Sequence, residues 1–365
     1  MKAINTGDTY EIYGDSLRTY DALPPLSYSV EFSKMTGFFL KKHSDIEINE
    51  DKIYGVHINK VEKVLSSFNV FERNLGVILS GDKGIGKSLF AKLLSVKAIE
   101  NNLPVIIVDK YIPGVASFID SIDQKVMILF DEFDKTFSDC GDEHPQTEML
   151  TLFDGLSHGK KLFVITCNEI RVLNKYLINR PGRFHYHFRF EYPSVEEIKE
   201  YLEDKLEPQY YKEIKSVISF SRKVNLNYDC LRAIAFELSG GGEFKEIIKD
   251  LNIVNFAPES YALKLYYNNG MVAHLDSAQI DLFDDSERFV GWLYNDDGEY
   301  VVRISFNVSD CIFDETKMCN VVAGDNVELK YVDADDDFIS KIRNAKAQYL
   351  TITRNIQKGL HYNIS

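Results

Sequence analysis

Residues 76–89 read Gly76-Val77-Ile78-Leu79-Ser80-Gly81-Asp82-Lys83-Gly84-Ile85-Gly86-Lys87-Ser88-Leu89. The apolar run Val77 to Leu79 has the length and composition of a buried strand. The loop Gly81 to Ser88 fits G-x-x-x-x-G-K-[ST], and a helical apolar pattern continues from Leu89 to Ala98. Strand, glycine-rich loop and helix in that order predict a phosphate-binding loop. In such a loop, consecutive backbone N–H groups turn inward around a polyphosphate at the positive end of a helix. Asp82, Lys83, Gly84, Ile85, Gly86, Lys87, Ser88 and Leu89 are the expected contact residues. Lys87 is expected to reach the β- and γ-phosphates, and Ser88 to place its hydroxyl on Mg²⁺. The expected ligand is a nucleoside triphosphate.

Working outward, three more apolar runs follow. Val105 to Val108 ends in Asp109, Val126 to Phe130 runs into Asp131-Glu132, and Leu162 to Thr166 ends at Cys167-Asn168. A further strand is expected from Phe184 to Phe190. Apolar strands separated by helical stretches predict a parallel sheet covered on both faces. Ligands of such sheets bind at the carboxyl ends of the strands, where Gly81, Asp131 and Asn168 all fall. A cation held by Ser88 needs another oxygen ligand, and Asp131 is placed to supply it. Glu132 is the candidate general base for an attacking water.

The flanking regions differ in character. Residues 1–50 alternate aromatic and polar side chains, as in Tyr28-Ser29-Val30-Glu31-Phe32, and predict a strand-containing arm or small domain. Residues 51–193 hold the α/β nucleotide-binding pattern. Residues 194–256 read as a helical lid, opening on the capping box Ser194 to Glu197. Residues 257–365 carry strand signals and turn signals such as Asn268-Asn269-Gly270, and predict a C-terminal β-domain. The expected fold class is thus an α/β P-loop core with a parallel sheet, a helical lid and an appended β-rich domain.

The net charge of −14 argues against a protein that coats nucleic acid nonspecifically. From Pro258 onward, acids outnumber bases 18 to 10, so this region is poorly suited to phosphate backbones. The five cysteines have no C-x-x-C pair, which points to reduced thiols in a cytoplasmic protein rather than to zinc or a disulfide framework. No apolar run reaches the ~18 residues of a membrane span, and no signal peptide is expected.

Over about Lys52 to Leu251 these features resemble the AAA family of ring-forming ATPases. Phe130-Asp131-Glu132-Phe133-Asp134-Lys135 is similar to the family's second nucleotide motif, Walker B, the phosphate loop being its Walker A. Thr147 to Phe153 followed by Asp154-Gly155 resembles the next helix, which ends in Asp-Gly. Thr166-Cys167-Asn168 resembles the T-x-N sensor, whose Asn helps orient the attacking water; a capping role is the alternative. Arg180-Pro181-Gly182-Arg183-Phe184 is similar to the R-P-G-R-F block at the family's subunit interface. The resemblance implies ATP and Mg²⁺ as cofactors. It also implies a homohexameric ring in which Arg180 and Arg183 enter the neighbouring subunit's site as arginine fingers. It sets Tyr54-Gly55 over the adenine and Gly241-Gly242 at the start of a lid helix against the nucleotide. Simple turns are the alternative for both.

Lys110-Tyr111-Ile112-Pro113-Gly114 has the flavour of the family's substrate-gripping pore loop, with loop packing as the other reading of Tyr111. Its compressed spacing is similar to that of the mitochondrial AAA proteins that translocate the folded Rieske subunit. Those proteins carry a membrane anchor, which is not expected here. The implied function is Mg²⁺-dependent ATP hydrolysis coupled to remodelling or movement of a protein substrate. The alternative is a ring motor or loader acting on DNA.

Overall fold

A computed structural model describes all residues except 6, 9, 49–51, 55–56, 139–143, 155–158, 179, 254–258, 285, 315, 334–335 and 356–365. Gly55, expected over the adenine, lies outside the described residues, as does the expected domain boundary near residue 257. The chain divides into two compact units, Met1–Tyr192 and Pro193–Ser365.

The first unit begins with a two-stranded antiparallel ribbon, β1 (Lys2–Asn5) and β2 (Tyr10–Tyr13), then a hairpin of β3 (Ser27–Ser33) and β4 (Gly37–Lys42). Helix α1 (His57–Val70) leads to β5 (Leu75–Ser80), and α2 (Lys87–Glu100) follows the glycine-rich loop. Next come β6 (Val105–Val108), α3 (Val115–Asp120), β7 (Val126–Phe130), α4 (Phe133–Thr136) and α5 (Pro145–Phe153). Strands β8 (Lys161–Cys167) and β9 (Tyr186–Arg189) complete a seven-stranded sheet of order β4-β3-β6-β7-β8-β5-β9, in which only β4 runs antiparallel.

The hairpin β3–β4 was expected in a separate arm or small domain. It belongs instead to the nucleotide-binding sheet: Ser27, Tyr28 and Ser29 pair in parallel with Val105, Ile106 and Ile107. Without it β6 would be a bare apolar edge, and the new edge strand ends in Lys41 and Lys42, which discourage further pairing.

Alternation along the strands supplies two cores. Ile106, Ile128, Phe130, Phe163 and Ile165 face one way, against Phe133, Phe137, Met149 and Phe153. Val77, Leu79, Met127, Leu129, Leu162 and Val164 face the other way, against Val64, Phe68, Phe90 and Leu94 from α1 and α2. Each fully buried Phe or Leu contributes about 1.5–3 kcal/mol. The sheet is therefore a stiff platform for the loops at its carboxyl edge.

In the second unit, α6 (Val195–Lys205), α7 (Ile214–Ser221), α8 (Tyr228–Ser239) and α9 (Phe244–Asp250) form the helical segment. The Ser194 capping box is present, with both reciprocal bonds to Glu197. An eight-stranded antiparallel sheet follows. It is built from β10 (Glu259–Tyr267), β11 (Val272–Ile280), β12 (Arg288–Tyr294), β13 (Tyr300–Asn307), β14 (Ile312–Asp314), β15 (Cys319–Ala323), β16 (Glu328–Tyr331) and β17 (Ala347–Arg354). A short helix, α10 (Asp337–Arg343), precedes the last strand, capped by the Asp336 side chain.

Candidate functional site

The glycine-rich loop leaves β5 through a turn that only glycine fits. Gly81 has φ +142°, and a Cβ there would lie 2.4 Å from Ile85 Cδ1 and 2.4 Å from the Phe190 carbonyl oxygen. Ile85 is buried beneath the loop, Asp82, Lys83 and Ser88 are exposed, and Gly84, Gly86 and Leu89 are half-buried. Gly86, with φ 101°, begins α2, so that Lys87 is the first residue of the helix.

Lys87 is only 7% exposed. Its ammonium donates to the carbonyls of Gly81 and Asp82, 2.5 Å each, and to Asn168 Oδ1 at 3.1 Å. Burial lowers its pKa, while the carboxylates of Asp82, Asp134 and Asp131 pull the other way. A cation held on neutral carbonyls inside its own loop is available to an incoming phosphate, which offers a stronger, charged acceptor.

Across from the loop, the ends of β7 and β8 are stitched together by Thr166. Its hydroxyl donates to Asp131 Oδ1 at 2.7 Å and accepts the Glu132 backbone N–H at 2.8 Å. Glu132 sits at φ 46°, ψ 48°, the left-handed region that costs a non-glycine residue about 1–3 kcal/mol. That conformation turns the chain sharply from strand into α4 and leaves the Glu132 side chain exposed at the sheet edge. Its carboxyl is held below the usual range, first by the hydrogen bond from Lys135 and further by Lys83 and Asn168. It is thus deprotonated at neutral pH. Ser88 and Asp131 together offer a hydroxyl and a carboxylate, hard oxygen donors of the kind that suit Mg²⁺. The neighbouring Cys167 thiol, buried beneath the site, is pushed up to about 12 chiefly by desolvation and stays protonated.

Asn168 joins the two sides. Its Oδ1 receives Lys87, its Nδ2 is buried with no hydrogen-bond partner among the described residues, and its amide helps to lower the Glu132 carboxyl. Lys87, Asp131, Glu132 and Asn168 are therefore brought together by three neighbouring strands, β5, β7 and β8.

The two arginines are not equivalent. Arg183 is 8% exposed and chelates Asp154 of its own chain: Nη2 donates to Oδ2 at 2.7 Å, Nε donates to Oδ1, and Nη1 donates to the Tyr176 carbonyl at 2.6 Å. Its backbone is pinned as well, since a Cβ on Gly76 would lie 2.2 Å from the Arg183 carbonyl oxygen. Arg183, set by the resemblance at a neighbouring subunit's site, here has its guanidinium bonded within its own chain. Arg180 is exposed, with its guanidinium 5.7 Å above the Tyr176 ring.

The other expected positions each have local surroundings of their own. Tyr54 is buried, with the Lys52 ammonium 5.2 Å from its ring centre. Gly241 and Gly242 form the turn between α8 and α9 in the second unit. Gly241 has φ +89°, and a Cβ on Gly242 would lie 2.5 Å from Ile247 Cγ2, so backbone conformation at the first and packing at the second favour glycine. Tyr111 donates its hydroxyl to Glu148 Oε2 at 2.6 Å and sets its ring edge-on to Phe137, 5.7 Å away.

Sequence reasoning assigned no part to Asp154, Tyr176 or the Asp134 side chain. Asp134 and Asp154 stand inside the very stretches that carried the resemblance, but nothing in a linear pattern marks which side chains turn inward.

A mostly parallel sheet with a glycine-rich loop at one strand's carboxyl end, facing an Asp-Glu pair at another's, defines a P-loop nucleoside triphosphatase core. Residues 77–192 match the family model AAA, the ATPase family associated with various cellular activities, and form an AAA domain. No curated protein matches the chain. Among the described residues, no helix is long and apolar enough to cross a membrane.

Proposed function

We propose that this chain is a Mg²⁺-dependent, ring-forming ATPase that couples hydrolysis to the remodelling or movement of a protein substrate. The convergence of Lys87, Asp131, Glu132 and Asn168 at the carboxyl ends of three strands carries the reading. In it, the backbone of residues 82–89 and Lys87 hold the phosphates, and Ser88 and Asp131 hold Mg²⁺. When bound, the ion neutralises charge on the β- and γ-phosphate oxygens. Glu132 takes the proton from a water oriented by Asn168. The water oxygen bonds to the γ-phosphorus as the bond to the ADP oxygen breaks.

Arg180 is the residue suited to a neighbouring subunit's site, being exposed on the segment that Arg183 anchors. The test is ATP turnover with Mg²⁺ and with excess chelator, in wild type and in Glu132→Gln. Wild type should turn over only with Mg²⁺, and Glu132→Gln should bind ATP and retain it unhydrolysed. Normal hydrolysis by Glu132→Gln removes Glu132 as the base.

A DNA-acting ring motor is the second reading, and one observation favours it. The β3–β4 hairpin carries the exposed residues Lys34, Phe39, Lys41 and Lys42, three bases and an aromatic ring close in sequence on an acidic chain. ATPase stimulation by single- or double-stranded DNA that fades with added salt would favour this reading over a protein substrate.

A further inference from the structure

Asp134 lies in the first turn of α4, where an acid is ordinarily exposed and needs no partner. Here it is 9% exposed, and its side chain turns back toward the end of β8. Oδ2 accepts the backbone N–H of Asn168 at 2.9 Å and of Glu169 at 3.2 Å. Oδ1 is buried with no hydrogen-bond partner among the described residues. Burying a carboxylate is costly unless charge-assisted hydrogen bonds offset it, and the two consecutive amides are the bonds this one makes.

Two N–H groups converging on one oxygen fix the orientation of the peptide between residues 168 and 169. On the other side, the Cys167 carbonyl accepts the Gly81 N–H at 3.3 Å. The segment carrying Asn168 is thus held between the glycine-rich loop and Asp134. From that fixed backbone the Asn168 side chain sets its Oδ1 on Lys87 at 3.1 Å, and its amide helps to lower the Glu132 carboxyl. Thr166 plays the corresponding part for Asp131 and Glu132. One stitch therefore sets the carboxylates and the other sets the amide.

We propose that Asp134 is a positioning residue for ATP hydrolysis, aiming the Asn168 amide by holding the backbone N–H groups of Asn168 and Glu169. The proposal rests on the ATPase reading above. It adds to that reading a residue that acts only through Asn168.

A double-mutant cycle separates this role from a merely structural one. Asp134→Ala should lower kcat about 10- to 100-fold with ATP affinity changed by less than about 3-fold. In an Asn168→Ala background the same substitution should have no further effect beyond about 2-fold, because the group it positions is gone. Asp134→Asn keeps an acceptor at the Oδ2 position and should retain kcat within about 3-fold. Amide hydrogen exchange over residues 167–170 should accelerate in Asp134→Ala and stay at the wild-type rate in Asp134→Asn.

A loss of kcat that persists undiminished in the Asn168→Ala background overturns the proposal. So does an Asn168→Ala enzyme with wild-type kcat, or a loss seen equally in ATP affinity. If Asp134→Ala does not fold, Asp134→Ser serves, since its shorter side chain leaves both amides unbonded while keeping a polar group. Absence of turnover in wild type, by contrast, removes the ATPase reading itself.

Discussion

Arg183 and Asp154 form a two-pronged ion pair within one protomer, with Nη2 2.7 Å from Oδ2 and Nε bonded to Oδ1, while Arg180 three residues earlier stays exposed. The arginine side is buried and the aspartate side is 42% exposed, so the pair is worth less than a wholly buried one. Removing Asp154 leaves the buried Arg183 charge without its carboxylate, and removing Arg183 loses its packing and its bonds to Asp154 and the Tyr176 carbonyl. Arg183→Ala and Asp154→Ala should each destabilise the first unit by about 1–3 kcal/mol, whereas Arg180→Ala should change stability by less than about 0.5 kcal/mol. Denaturant unfolding measures all three. Wild-type stability in Arg183→Ala would make that residue something other than a brace.

The same pair sets an acid limit. Arg183 holds the Asp154 carboxyl below its ordinary value, mainly by hydrogen bonding, with Arg180 contributing at longer range. A depressed folded pKa means the folded state favours the ionised form. The stabilisation is therefore complete above the ordinary carboxyl value of about 4 and is lost as the pH falls below it. Between about pH 5 and pH 2.5, wild type should lose more stability than Asp154→Asn, which has no charge to lose. Parallel curves for the two proteins would remove Asp154 from the acid response.

Arg180 carries the opposite expectation. Its guanidinium packs over the Tyr176 ring and its segment is anchored by the Arg183 bond to the Tyr176 carbonyl, so truncating it disturbs little of its own protomer. If it completes a neighbour's site, Arg180→Ala should lose turnover by about 10³-fold or more while keeping ATP affinity within about 3-fold. Steady-state kinetics with a separate binding measurement reads both. Unchanged turnover would count against hydrolysis shared between subunits.

Legibility in the sequence followed the range of the interaction. The glycine-rich loop, the apolar strands and the Asp131-Glu132 pair are local patterns, and each element stands where its pattern lies. Partnership across the chain was not local. Tyr28 to Phe32 alternates as a strand should, but nothing in those residues names Val105–Val108 as the neighbour, so the hairpin read as a separate arm. Arg183 shares a motif with Arg180, and spacing says nothing about guanidinium direction. Asp154, 29 positions away, decided that. Within residues 257–365, β11 alternates irregularly in burial, and the seven residues of α10 follow an acidic run that reads as loop, so neither stands out in its own sequence.

The helical segment and the β-sheet of the second unit share packing that their sequences treat as separate. Phe220 on α7 sets its ring 5.7 Å from Phe283, beyond the end of β11, and 5.5 Å from Phe244 on α9. Lys223 donates to the Leu282 carbonyl at 2.9 Å and lies 5.3 Å from the Phe283 ring centre. Arg354 of β17 donates to Asn225 at 2.8 Å. A side chain at such a junction stabilises both partners at once. Phe220 is only half-buried and Phe283 is 44% exposed, so Phe220→Ala should cost about 1–2 kcal/mol, less than a full core truncation. Hydrogen exchange should then rise together in α7, α9 and the 281–284 loop, because the ring bridges them. Exchange that rises only in the helices would mean that the β-domain holds its edge without them.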